Sequence, residues 1–415
     1  MTAGAPVFTT PPIAVAGKPV DATRGPLRPT APGERLLELD VLRGLALFGV
    51  LVVNVMVFSG SEVALEAKVA YPVGWGGAWP AFLRTALVES KAAALLGMLF
   101  GAGLVMQWEK APSRSAARRF ALRRAGVLAL LGIAHSFLLW NEDILLDYAL
   151  IGVLVIPFLN VRASRILWAI PALLPVTVLL ALPVSKLPFP TPAEAWTTSL
   201  AHYGSGSWWE ALRFRSWEML HVMGPQRLAN RLLILTPFFI LGVWFWKSGY
   251  FSEPARHLPA LRRLFVVAFG LGLVANLVPQ ESLVHAVGKI SFQPMRILIK
   301  VIFFLARPAL TLGYASGVLL LLQSARWRSL LGVFAPLGRT TLTQYLLQSV
   351  VCTWIFNGYG LGLYGKVSIN ACIAGSVVLY AIQVWSSYAW LAHHRSGPVE
   401  WLWRRMAYGG GARSG

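Results

Sequence analysis

The stretch Arg123–Pro157, RRAGVLALLGIAHSFLLWNEDILLDYALIGVLVIP, decides how the rest of the chain is read. Two apolar runs meet at a polar corner, Asn141-Glu142-Asp143, and neither run has room for a soluble face. A membrane hairpin turning near Asn141 places His135 and Asp147 six residues either side of the turn, at similar depth, with Asp143 nearer the surface. Ionisable groups are costly at that depth and are kept there for a reason. An imidazole facing a carboxylate in a poorly hydrated place is a proton-handling pair. The alternative is structural: His135 packs between helices and bonds a carbonyl, while Asp143 and Asp147 favour a helix N-terminus.

Composition agrees with the hairpin. Of 415 residues, 56% are hydrophobic and 13% charged, and the mean hydropathy is +0.61. A soluble chain this apolar could not cover its own surface, so the fold class expected is all-α, a polytopic transmembrane helical bundle. The net charge of +20 invites a nucleic-acid reading. The basic residues cluster between apolar spans rather than on one soluble face, which excludes it. Cys352 and Cys372 both fall in apolar segments and behave as small apolar side chains, with neither a disulfide framework nor metal spacing.

Outward from the corner, residues 1–33 are rich in Pro, Ala, Thr and Gly and read as a disordered cytoplasmic tail. About ten spans are expected within 34–396: 41–58, 84–107, 122–140, 143–160, 164–185, 228–248, 261–278, 297–322, 337–357 and 368–393. With both termini inside, the cytoplasmic segments hold 23 of the 37 Lys and Arg residues, and the corner lands outside with none. The positive-inside rule therefore favours both termini in the cytoplasm of a cell inner membrane. An external loop, 186–227, carries Trp196, Trp208, Trp209, Trp217 and His221 with weak helical periodicity. It suits an aromatic belt at the interface or a lid over a site opening outward. Residues 397–415 form a second interfacial tail.

Other positions carry candidate chemistry. Asp40 and Arg43 are three apart and can pair on one helical face, anchoring the helix or gripping an anionic donor. Asn54 is deep enough to need a partner. Phe100-Gly101-Ala102-Gly103 lets another backbone approach closely; packing explains it, and it is no phosphate loop, since no strand precedes it. Arg307, mid-span and followed by Pro308, keeps its charge and must face water, a carboxylate or a phosphate. It fits an ion pair with Asp147 or Asp143, or an anionic substrate. Gln344 and Gln348, one turn apart with Tyr345 between them, suggest a helix face turned to a cavity. The glycine-rich run Gly358 to Gly365 reads as a tight turn. His393 and His394 are helix neighbours that point apart, unsuited to a metal, and no metal is expected elsewhere.

Several motifs together resemble the YeiB-type family of bacterial membrane proteins, a domain of unknown function: Leu39-Asp40-Val41-Leu42-Arg43-Gly44, Phe100-Gly101-Ala102-Gly103, His135 with Trp140, and Asp143 through Tyr148. Gly338-Arg339, Leu342-Thr343-Gln344-Tyr345 through Ser349, and Gly397-Pro398-Val399-Glu400-Trp401 complete the set. That family is similar to transmembrane acyltransferases such as heparan-α-glucosaminide N-acetyltransferase, chiefly in the Leu-Asp-Val-Leu-Arg-Gly start. The resemblance implies transfer of an acyl group from acyl-CoA, the co-substrate, to an acceptor hydroxyl or amine. No histidine lies between Ser59 and Phe82, where the acetyltransferases carry theirs, so His135 would have to serve.

The expected catalytic set is His135, Asp143 and Asp147, with Arg43, Asn54, Trp140, Tyr148, Arg307, Tyr345 and Gln348 contacting substrate. Expected partners are the lipid bilayer and a small-molecule, glycan or lipid acceptor; a homo-oligomer is compatible, and nucleic acid is not expected. The rival expectation is a transporter of a small anionic or amphipathic compound, using the same His, Asp and Arg groups as relay and counter-charge.

Overall fold

The computed structural model describes residues 35–173, 175, 190–290 and 292–408, without the side chains of 221–230, 280, 281, 284, 297, 300, 301, 304, 305 and 307. The expected tail 1–33, much of the span expected at 164–185, and the side chains of His221 and Arg307 therefore lie outside the described residues. Among the described residues the regular structure is all helical.

The first helices are α1 (Leu37–Phe58), α2 (Ser61–Glu66), α3 (Trp79–Leu87), α4 (Lys91–Lys110), α5 (Arg114–Leu138), α6 (Leu145–Val155) and the short α7 (Ala163–Ile166). Next come α8 (Pro192–Ser199), α9 (Trp208–Trp217), α10 (Gly224–Lys247), α11 (Leu258–Leu277), α12 (Gln280–Gly288) and α13 (Gln293–Leu321). The chain closes with α14 (Ala325–Gly332), α15 (Ala335–Arg339), α16 (Thr341–Phe356), α17 (Ile369–His393) and α18 (Pro398–Tyr408).

Among the described residues, 5 helices are long and apolar enough to cross a membrane: Leu37–Phe58, Trp79–Lys110, Arg114–Leu138, Pro254–Leu277 and Ile369–His393. A sixth arises if Pro308–Leu321 and Ala325–Gly332, bent by 117°, form one broken span. Several of the remaining expected spans are helices of a different kind. The run 143–160 is an 11-residue α-helix continued by a 3-10 turn, and α16 has only 16 residues. Outward faces are apolar, with Leu130, Val267, Val274, Val378 and Trp385 exposed. That surface suits lipid and not water.

Helix α1 runs through the middle of the bundle, packed on α4, α15, α16 and α17. Its 22 residues extend about 33 Å at 1.5 Å per residue, so it connects the bundle's two ends. Helices α4 and α10 cross closely. A Cβ on Gly101 would collide with the Phe239 carbonyl oxygen, and one on Gly242 with that of Met98. Only glycine allows that approach.

The segment 190–223 departs from its weak periodicity. It is helical, through α8, a π-helical turn, α9 and a second π turn leading into α10. Two capping boxes start these helices: Thr191 with Glu194, and Ser207 with Glu210. Local caps supply what an apolar stripe does not. The segment folds over the polar corner. Asn141 Nδ2 donates to Glu218 Oε2 at 2.9 Å, the Tyr203 hydroxyl donates to the same oxygen, and fully buried Arg215 donates to the Phe137 carbonyl at 3.2 Å.

Candidate functional site

At the corner, helix α5 ends at Leu138 and α6 begins at Leu145. Asp143 sits between them and does two jobs. Its Oδ2 accepts from the backbone N–H of Leu145 at 2.8 Å and of Leu146 at 3.0 Å, capping α6. Its Oδ1 lies 2.8 Å from His135 Nδ1, with both side chains only 1% exposed. The Tyr345 hydroxyl donates to the same Oδ1 at 3.2 Å and accepts from Ile144 N–H at 3.3 Å. A carboxylate beside Nδ1 fixes the proton there and leaves the Nε2 lone pair for other use. His135 Nε2 is buried with no hydrogen-bond partner among the described residues, and a buried polar atom in that state is costly unless something else meets it.

His135 is thus paired with Asp143, not with Asp147. Asp147 is held by Arg231, a residue that no motif in the sequence singles out. Arg231 donates to Asp147 Oδ2 at 3.0 Å, Glu142 Oε2 at 2.8 Å and the Asp143 carbonyl at 3.1 Å. One planar guanidinium ties α10 to the whole corner.

Towards the opposite end of the bundle a cavity of about 260 Å³ opens. Its inner walls include Leu47, Leu99, Leu128, Ile144, Tyr148 and Tyr345, and its mouth is lined by Arg35, Arg43, Arg339 and Arg404. Tyr345 belongs to both places: its ring lines the cavity and its hydroxyl touches the acid of the pair. His135 itself does not line the cavity; its ring lies 5.3 Å from that of Tyr345. Arg43 pairs with Asp40 at 2.9 Å, as their spacing suggests.

The comparisons with known proteins agree on one family. Residues 245–410 match the family described as "Protein of unknown function (DUF418)". The Bacillus subtilis (strain 168) "Uncharacterized protein YxaH" is 32% identical over 92% of this chain and 96% of its own length. The Escherichia coli (strain K12) "Uncharacterized protein YeiB" is 30% identical over 90% and 96% respectively. A third relative, the "Uncharacterized 39.9 kDa protein in amylase 3'region" of Bacillus acidopullulyticus, is 28% identical over 92% and 96%. The chain belongs to the DUF418, YeiB-type family.

The remaining expected positions of this DUF418 chain divide into those at the two sites and those elsewhere. Tyr148 lines the cavity and donates its hydroxyl to the Ala93 carbonyl at 2.5 Å. Trp140 is buried, stacked on Phe58 at 4.3 Å between centroids, with an edge towards His135 at 6.4 Å. Gln348 does not turn to the cavity: its Nε2 donates to Gln383 at 2.8 Å, and Gln344 donates to Ser387 at 3.0 Å, so these amides join α16 to α17. The i, i+4 amides identify a polar face correctly, but a helix covers it. Asn54 is half-buried and lines no part of the cavity. The Arg307 side chain lies outside the described residues. Gly362 and Gly365 have positive φ in the tight turn after α16.

The glycine motif of α4 also divides. Gly101 serves packing, but Gly103 lines the cavity, where packing alone is the expectation from sequence. Arg124, which in the sequence is one of several cations on the inside-facing segment, lines it too.

Proposed function

We propose that this DUF418 chain is an integral membrane acyltransferase of the cell inner membrane, moving an acyl group from acyl-CoA to an acceptor hydroxyl or amine. One observation carries the reading. Among the described residues His135 Nε2 meets no hydrogen-bond partner while Asp143 holds Nδ1, and Tyr345, the neighbour of both, is also a wall of a cavity that begins among arginines. An aspartate-oriented imidazole with a free lone pair is the arrangement a general base needs.

In this reading the arginine-lined end faces the cytoplasm, both termini lie there, and the chain crosses the membrane about ten times. Acyl-CoA enters the cavity from that end. A small-molecule, glycan or lipid acceptor comes from the corner side, under the cover of α8 and α9. Nε2 takes the acceptor's proton as its oxygen or nitrogen bonds to the thioester carbonyl carbon. The C–S bond breaks, and the imidazolium returns the proton to the departing thiolate. In the two-step version Nε2 itself bonds to the thioester carbonyl carbon as the C–S bond breaks and the thiolate leaves; the acceptor oxygen or nitrogen then bonds to that carbon as the C–Nε2 bond breaks, and the acceptor's proton passes to the thiolate. Asp143 stabilises the imidazolium in both versions.

The test is thiol release from acetyl-CoA by the purified protein supplied with a membrane extract as acceptor pool. Wild-type protein is expected to release thiol, and His135→Ala to lose at least about 100-fold of that rate, in the range of general-base losses, with unchanged size and detergent extraction. Equal rates in both proteins, or no release from wild type, discards the assignment. Movement of an anionic compound across vesicles without thiol release establishes the transporter reading instead.

A further inference from the structure

We propose that Arg43 and Arg124, converging over Gly103, form a binding site for a phosphate group of the ligand that occupies the cavity. The inference rests on the reading of that cavity as the donor's place and names the chemistry its mouth selects.

Arg124 is the starting observation. It is 7% exposed, deep for an arginine. It donates to Gln107 Oε1 at 2.6 Å and lies between Phe100 and Trp403, 4.6 and 4.8 Å from their ring centroids. Among the described residues its Nε has no hydrogen-bond partner and no carboxylate pairs with it. A guanidinium does not shed its proton, and a buried charge held only by a neutral amide and two rings is poorly compensated.

The second observation is the space in front of it. A Cβ on Gly103 would stand 3.9 Å from a terminal nitrogen of Arg124 and 3.9 Å from one of Arg43. Two guanidiniums from different helices approach one small volume that glycine leaves free. Around it the cavity lining adds Arg35, Arg339 and Arg404, against the acids Asp40 and Glu400. Asp40 takes one nitrogen of Arg43, and Glu400 is committed to the N–H groups of Leu342 and Thr343 at 2.6 and 3.0 Å. The positive excess faces the cavity, and tetrahedral oxyanions match forked guanidinium donors.

The walls constrain the rest of the ligand. Past Gly103 the lining is Leu96, Leu99, Leu128 and Tyr148. Along α5, Arg124 and His135 are eleven residues apart, about 16 Å. A ligand anchored by phosphate at Arg124 and reacting near His135 therefore needs a slim, weakly polar arm of about that length. A nucleotide-linked thioester and a lipid phosphate both have this form.

The experiment measures binding of coenzyme A and of short-chain phosphatidate to the purified full-length protein by calorimetry. Arg124→Gln, Arg43→Gln and Gly103→Val are compared with Arg118→Gln, an exposed arginine outside the cavity. Expected are at least tenfold weaker binding in the first three, no change in the fourth, and affinity that falls with salt. Arg124→Gln is also expected to raise the Tm of the unliganded protein, since it removes an uncompensated charge; a purely structural arginine lowers it. Phosphatidate binding with this variant pattern, and none by coenzyme A, upholds the phosphate site and removes the acyl-CoA reading. Wild-type affinity for either probe in both Arg124→Gln and Gly103→Val overturns the site, as does no binding of either probe. Thiol release that persists undiminished in Arg124→Gln rejects the site while leaving the acyltransferase in place.

Discussion

Glu62 illustrates what a carboxylate experiences beside the polar corner. It lies on the short helix α2, outside the spanning helices, and burial together with the charges of Glu142 and Glu89 pushes its carboxyl up to about 7. The folded chain then holds this proton where the unfolded chain, near the ordinary value of 4.5, has released it. Folding stability contributed by Glu62 is therefore present at low pH and lost as pH rises through that window. Between about pH 5 and about pH 8 the wild-type Tm is expected to fall by about 2–4 °C more than that of Glu62→Gln. Parallel pH profiles of thermal unfolding in detergent would remove the assignment. At this scale the corner is open to reading from sequence, because His135, Asp143 and Asp147 are conspicuous in apolar runs. Their pairing is not. Depth counted from a hairpin turn suggests His135 with Asp147, whereas the turn coils so that Asp143 reaches Nδ1 and caps α6 together. Arg124 escapes notice for the opposite reason: it closes a run of cations that satisfies the positive-inside rule without it, and only packing shows that it turns inward.

Elements are joined at the corner by charge. Arg231 on α10 reaches α6 through Asp147 and the turn through Glu142. Arg231 falls within the expected span 228–248, and nothing local announces that its partners stand 84 and 89 residues away. Its side chain keeps 22% exposure, so the cost of losing it is discounted from that of a fully buried pair. Arg231→Met is expected to destabilise by about 2–4 kcal/mol, because it takes the guanidinium away from two partly buried carboxylates. Arg231→Met with Asp147→Asn and Glu142→Gln is expected to recover at least half of that, since both carboxylate charges are removed together with the guanidinium. Denaturation midpoints for the single and triple variants check this, and a triple variant no better than the single one rejects the charge account. Helices α8 and α9 show the same limit of sequence pattern. Their capping boxes lie in plain view, Thr191 with Glu194 and Ser207 with Glu210, but an apolar stripe is the stronger helical signal, and such covering helices carry little of one.

Over the whole molecule, two chemistries are set at opposite ends of one bundle. Helix α1 carries Asp40 and Arg43 in its first turns at the arginine-lined mouth and finishes with Phe58 stacked on Trp140 at the corner, about 25 Å away. Helical class and membrane character are legible in composition, because apolar residues dominate and the exposed faces are themselves apolar. The number of crossings is less so: the expected ten include runs such as 337–357, whereas among the described residues 5 helices, or 6 with the bent pair, are long and apolar enough, and α16 is a 16-residue helix whose polar face bonds to its neighbour. Orientation rests on the basic segments at the mouth, and it is open to a direct measurement. Trp209 and Arg118 are both exposed and belong to the corner and the basic end respectively. The two native cysteines are buried, so single cysteines introduced as Trp209→Cys and Arg118→Cys can be read against a low background. In intact cells stripped of their outer envelope, an impermeant maleimide is expected to label Trp209→Cys at once and Arg118→Cys only after the membrane is opened. Labelling in the reverse order inverts the topology: the arginine-lined cavity would face away from the cytosolic pool of acyl-CoA, and a donor drawn from that pool could not reach His135 by this route.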